Sequence, residues 1–149
     1  MAMTENYVST INDVIEICKD AEQGFRGAAD AVQNPSLKSL FQEYSAQRAA
    51  FATELQTAVE RSGGNPEHPG GAAGKLHSAW MSIKGAFTGH GEHEILAETE
   101  RGEDLSLKTY REALSHELPD ALRSVVEKQY EIVQNAHARI RRLRDETAR

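Results

Sequence analysis

Cysteine is nearly absent from this chain: Cys18 stands alone, so no disulfide can close within it. Proline is scarce at 4 in 149 residues and aromatics make up 6%, while Ala, Leu, Glu, Gln and Arg dominate; that balance points to an all-helical protein. No apolar run approaches membrane-spanning length, and the N-terminus lacks the apolar stretch of a signal peptide, so the chain reads as soluble and cytoplasmic with no membrane contact. A net basic surface is also missing. The formal charge of −6 and pI near 5.5 argue against nucleic acid as a partner. The one basic run, Arg139, Arg141, Arg142 and Arg144, reads as a solvated face that complements a helix dipole. There is no Gly-x-Ser-x-Gly, no Cys–His pair at telling spacing and no phosphate-binding glycine loop, so no catalytic residue is assigned.

What the chain has instead is acid on apolar stripes. Ile11, Ile15, Cys18, Glu22, Phe25, Ala29 and Val32 form a 4-3-4-3 helical stripe with a glutamate in its middle. Leu96, Glu100, Glu103, Leu107, Tyr110 and Leu114 form a second with two. A carboxylate on a core seam must be protonated, paired with a cation or bound to a metal. Cys18 lies on the first stripe and reads as a buried, inert thiol.

Four long helices are expected, over about 9–33, 36–62, 92–116 and 119–145. Ser9 or Thr10 would cap the first, and Asn34 or Ser36 the second; Gly63-Gly64 closes the second, and Pro119 suits the first turn of the last. Short turns make two antiparallel hairpins. Residues 63–91 join them, with a Gly/Pro-rich stretch and a short helix over about 74–88 carrying Leu76, Trp80, Ile83 and Phe87 on one face. That short helix alone covers roughly 22 Å at 1.5 Å per residue, so the connection can run the length of a bundle. The expected fold is a single all-α domain over 1–149: a ferritin-like four-helix bundle with one long crossover.

Counting turns from the hairpin ends brings Glu22, Gln47 or Arg48, Glu100, Glu103 and His137 towards one mid-bundle layer. Two chemistries fit it. Glu22, Glu100, Glu103 and His137 could hold Fe, Mn or Zn, since carboxylate oxygen and imidazole nitrogen suit those ions. Ferritin-like sites use one Glu on each of two helices and Glu-x-x-His on each of the others. Here the second helix offers Gln47-Arg48-Ala49-Ala50 and the fourth Gln134-Asn135-Ala136-His137, so the set is incomplete. The other chemistry is an ion-pair network in which Arg48 neutralises the glutamates without a metal. It needs no residue that the chain lacks. Other histidines carry less: His90, Glu92, His93 and Glu94 read as a solvated helix start, and His77 as a partly exposed side chain.

Asp20-Ala21-Glu22-Gln23-Gly24-Phe25, Leu76-His77-Ser78-Ala79-Trp80 with Lys84 and Thr88-Gly89, Glu98-Thr99-Glu100-Arg101-Gly102-Glu103-Asp104, and Gln129-Tyr130 followed by His137 together resemble an uncharacterised bacterial four-helix-bundle family, the domain of unknown function 2383. The resemblance spans nearly the whole chain, and the Glu-Arg-Gly-Glu-Asp segment is its most specific part. It implies a ferritin-like fold, with Glu22, Glu100, Glu103 and His137 as the positions to carry over; it brings no established activity, substrate or metal. The functional expectation is a bundle of unknown physiological role with a carboxylate/His/Arg cluster, a degenerate metal site, and by family analogy a link to stress. The alternative is a non-enzymatic structural or interaction module that forms a homodimer, with Trp80's helix or the Arg-rich end as contact.

Overall fold

The computed structural model describes residues 2–64 and 91–147, with side chains from Tyr7 to Gly64 and from Gly91 to Thr147. The expected short helix over 74–88, with His77 and Trp80, and His90 lie outside the described residues.

Four helices are present among the described residues: α1 (Ala2–Ala31), α2 (Pro35–Arg61), α3 (Glu92–Leu114) and α4 (Asp120–Thr147). No strand occurs among the described residues. None of these helices is long and apolar enough to cross a membrane. α1 begins well before the expected position 9, so Ser9 and Thr10 lie inside the helix rather than at its cap. Nothing in Ala2-Met3-Thr4-Glu5 breaks a helix, and Ser or Thr caps only where no helical turn precedes it. α2 starts as its sequence suggests: the Asn34 side-chain oxygen accepts from the amides of Ser36 and Leu37 at 2.9 and 3.3 Å, with Pro35 in the first turn. Gly63 takes φ +86° past its end. Gly64 then sits against Val8 and Val59, where a Cβ would come within 2.6 and 2.8 Å of their methyls.

Side-chain contacts give the direction of each helix. Lys38 donates to the Ala29 carbonyl (2.7 Å), Ser45 to that of Glu22 (2.8 Å) and Tyr7 to that of Ser62 (3.2 Å), so α2 runs antiparallel to α1. Ala31 and Val32 line a cavity of about 230 Å³ with Gly91 and Ile95, and Cys18 meets Tyr110, so α3 also runs antiparallel to α1. α2 and α3 are therefore parallel. α4 returns along α3, as His93 near Thr147 and Arg123 on the Leu114 carbonyl show. Residues between α2 and α3 consequently connect opposite ends of a bundle whose second helix alone is about 40 Å long at 1.5 Å per residue. The helix directions are those of an all-α four-helix bundle with parallel second and third helices.

Each helix touches two neighbours: α1 packs on α2 and α3, and α4 on α3 and α2, leaving α2 and α3 on a diagonal. Ile11, Val14, Phe25, Phe41, Leu55, Leu96, Tyr110, Leu122, Val126, Val133 and Ile140 are wholly buried between them. Phe25 stacks on Phe41 (centroids 6.0 Å apart) and tilts against Tyr44 (5.3 Å), which binds the first hairpin through large apolar faces.

Candidate functional site: a polar layer inside the bundle

Across the diagonal, Arg48 of α2 meets Glu103 of α3. Arg48 Nη1 and Nη2 donate to Glu103 Oε1 and Oε2 at 2.5 and 2.6 Å, a two-pronged fork. Arg48 is 1% exposed and Glu103 0%, so neither charge has water to fall back on. The third donor, Nε, goes to Gln47 Oε1 (3.1 Å), and the guanidinium carbon lies 5.3 Å from the centroid of the Phe25 ring of α1. Burial works against the guanidinium's charge. Glu103's negative charge and its hydrogen bonds outweigh that, and hold Arg48 above its ordinary pKa.

Beside this pair runs a hydrogen-bonded chain that draws members from all four helices. Gln129 of α4 donates from Nε2 to the Phe51 carbonyl (3.3 Å) and to Glu54 Oε1 (2.7 Å), both on α2, which fixes its amide orientation. Its Oε1 then accepts from the Tyr110 hydroxyl of α3 at 2.8 Å. With that proton committed, the Tyr110 oxygen accepts from the Cys18 thiol of α1, 3.2 Å away. Burial pushes the thiol pKa up to about 11, more than the nearby Arg48 charge pulls it down. Tyr110 is also pushed well above its ordinary value, first by burial and then by its contact with Cys18.

Of the four expected ligand residues, Glu100 and His137 stay within 3.9 Å of each other, while Glu22 and Glu103 turn to other partners. Glu103 faces inward and is taken by Arg48. Glu22 sits at the edge of the α1 stripe with its side chain 26% exposed, and its carboxylate turns along the helix to Arg26 at 2.9 Å. Its position in the stripe is correct, but a side chain of that length at an edge reaches water rather than the core. Glu100, one turn from Glu103, faces α4: Arg144 Nη1 lies 2.5 Å from its Oε1 without an aligned hydrogen bond, a close charge contact. His137 Nε2 lies 3.9 Å from Glu100 Oε2 and 2.6 Å from Asp104 Oδ1, and Asp104 is 64% exposed. His93, expected to be solvated, sets Nδ1 against the Arg144 carbonyl and the Thr147 hydroxyl at the end of α4.

So each glutamate has a cation of its own. Among the described residues, no group of three or more His, Cys, Asp or Glu side chains is disposed to hold a metal ion. The ligand set of a ferritin-like centre does not fit these residues, because a guanidinium fills the position on α2 where a carboxylate or imidazole would have to reach Glu103.

Sequence reasoning placed Arg48 and Glu103 in one layer but missed Gln129, Tyr110 and Glu54 as a chain. The signal was available: Gln129 interrupts the α4 stripe between Val126 and Val133. Arg144 was missed for a different reason, since a cation in a last turn has a sufficient local explanation.

No curated protein matches the chain. Residues 6–116, well over half of it, match the family model described as "Domain of unknown function (DUF2383)", and the chain belongs to that family.

Proposed function

We propose that this protein is a non-enzymatic helical bundle, a structural or interaction module whose interior carboxylates are held by its own arginines instead of a metal. The observation that carries this reading is the Arg48–Glu103 fork. Redox and hydrolytic centres in such bundles need carboxylates that can turn towards an ion and exchange ligands. Glu103 has both oxygens engaged, and Glu22 and Glu100 point to Arg26 and Arg144 in other directions. The partner to which the proposal commits is a second copy of the chain. Val125, Ile132 and Leu143 recur along one line of α4, partly buried against the bundle's own core, and the area they leave exposed is where the contact is placed.

The test uses untagged full-length protein after anaerobic addition of Fe(II), with metal content read by plasma mass spectrometry and mass by light scattering across a concentration series. A dimer with no retained metal is the expected result. Near-stoichiometric Fe, Mn or Zn that is lost in Glu103→Ala would overturn the reading in favour of a bundle-core metal site. A monomer at every concentration would remove the homodimer part.

A further inference from the structure

Packing within each hairpin is more extensive than packing between hairpins: α1 with α2 and α3 with α4 make broader contact than α1 with α3 or α2 with α4 among the described residues. Yet, apart from Tyr110–Gln129 within the second hairpin, the buried long-range side-chain contacts described above lie at the narrower interface. Arg48–Glu103, Cys18–Tyr110 and Gln129 on the Phe51 carbonyl all cross from one hairpin to the other. The large aromatic contacts of Phe25 with Phe41 and Tyr44 lie inside the first hairpin.

The two kinds of contact respond differently to opening. Exposing apolar area costs free energy in proportion to that area. Exposing a buried ion pair returns both charges to water and recovers the hydration that burial had removed. The interface with the least packing therefore also holds the groups that gain most from water. Units that open cooperatively often coincide with supersecondary motifs, and a helical hairpin is one.

We propose that the bundle opens between its two hairpins, each staying helical, and that this motion uncovers the Cys18 thiol. Cys18 is 1% exposed on α1, and its sulfur meets Tyr110 of the opposite hairpin. Arg48 and Glu103 act as the latch: paired and dry when the hairpins meet, separately hydrated when they part. The inference rests on the reading that Arg48, and not a metal, holds Glu103, so the metal content of the same sample is measured alongside; bound metal would overturn it at that premise.

Cys18 is the chain's single thiol, so any labelling reports this site. Full-length protein is treated with 5,5′-dithiobis(2-nitrobenzoate) across a urea series while helix content is followed by circular dichroism. Labelling of the wild type in urea that leaves helicity intact, with a shallower urea dependence than helix loss, is the expected result. In Arg48→Met/Glu103→Leu the latch becomes apolar, and labelling slows by about tenfold while helicity is unchanged. Labelling with the same midpoint and urea dependence as helix loss would overturn the proposal, because the thiol would then be reached only through complete unfolding. A folded double variant that labels as fast as wild type would overturn the latch. Should that variant fail to fold, the wild-type comparison alone decides.

Discussion

Glu103 has no water to turn to, and both its oxygens are taken by one guanidinium. Its neighbour Cys18 is equally dry, and there burial alters titration in a way that stability can report. Because the folded thiol titrates at about 11 against an ordinary 9.0, the folded chain keeps a proton that the unfolded chain loses over that range. Stability is therefore full below about pH 9 and falls as pH rises to about 11, by about 2–3 kcal/mol from this group. Tyr110, raised mainly by burial above an ordinary 10.0, adds to the loss from about pH 10 upward. Urea unfolding at a series of alkaline pH values measures this, and Cys18→Ala should remove the part of the decline that begins near pH 9. An identical decline in that variant would contradict the assignment. At this scale the sequence was informative about identity and weaker on direction. Glu22 and Glu103 both sit on apolar stripes, but a shift of part of a turn separates a carboxylate in the core from one that reaches Arg26. Composition and spacing do not resolve so small a rotation.

The helices are held in place by side chains that stop at a neighbour's backbone or side chain, and Gln129 does this for two helices at once. It ties α4 to α2 through the Phe51 carbonyl and Glu54, and to α3 through Tyr110. Replacing it with Leu leaves the buried Tyr110 hydroxyl without its acceptor. Gln129→Leu should accordingly cost about 1–3 kcal/mol in urea unfolding, with helix content unchanged before the transition. A variant as stable as wild type would show that the chain of hydrogen bonds contributes nothing net. Helix type and hairpin pairing were legible in the sequence because α2, α3 and α4 each have a clear break on at least one side: Asn34-Pro35, Gly63-Gly64, Gly91 and Pro119. The start of α1 was not, since Ser9 and Thr10 signal a cap only when the preceding residues leave the helix, and Ala2 onward continues it.

For the whole molecule, the antiparallel hairpins and the parallel run of α2 and α3 follow from a connection long enough to cross the bundle, which the spacing of the helical stripes already required. What that spacing left open was which cation answers the interior carboxylates. Arg48 and a metal would occupy the same layer, and turn counting has no resolution finer than a layer. In the fork the cation that meets Glu103 is Arg48, while Glu22 and Glu100 have separate arginine partners. The bundle then has an interior that is charged yet closed, in which the ion pair fixes one diagonal relation between hairpins and apolar packing supplies most of the stability.

The most direct measurement is a double-mutant cycle of Arg48→Met and Glu103→Leu, with unfolding free energies for wild type, both single variants and the double. If Arg48 is the partner of Glu103, each single variant strands a buried charge and loses about 3–5 kcal/mol, while the double returns to wild-type stability or exceeds it. Additive losses, or a Glu103→Leu variant that loses nothing while Arg48→Met is crippled, would contradict the pairing at the centre of this bundle.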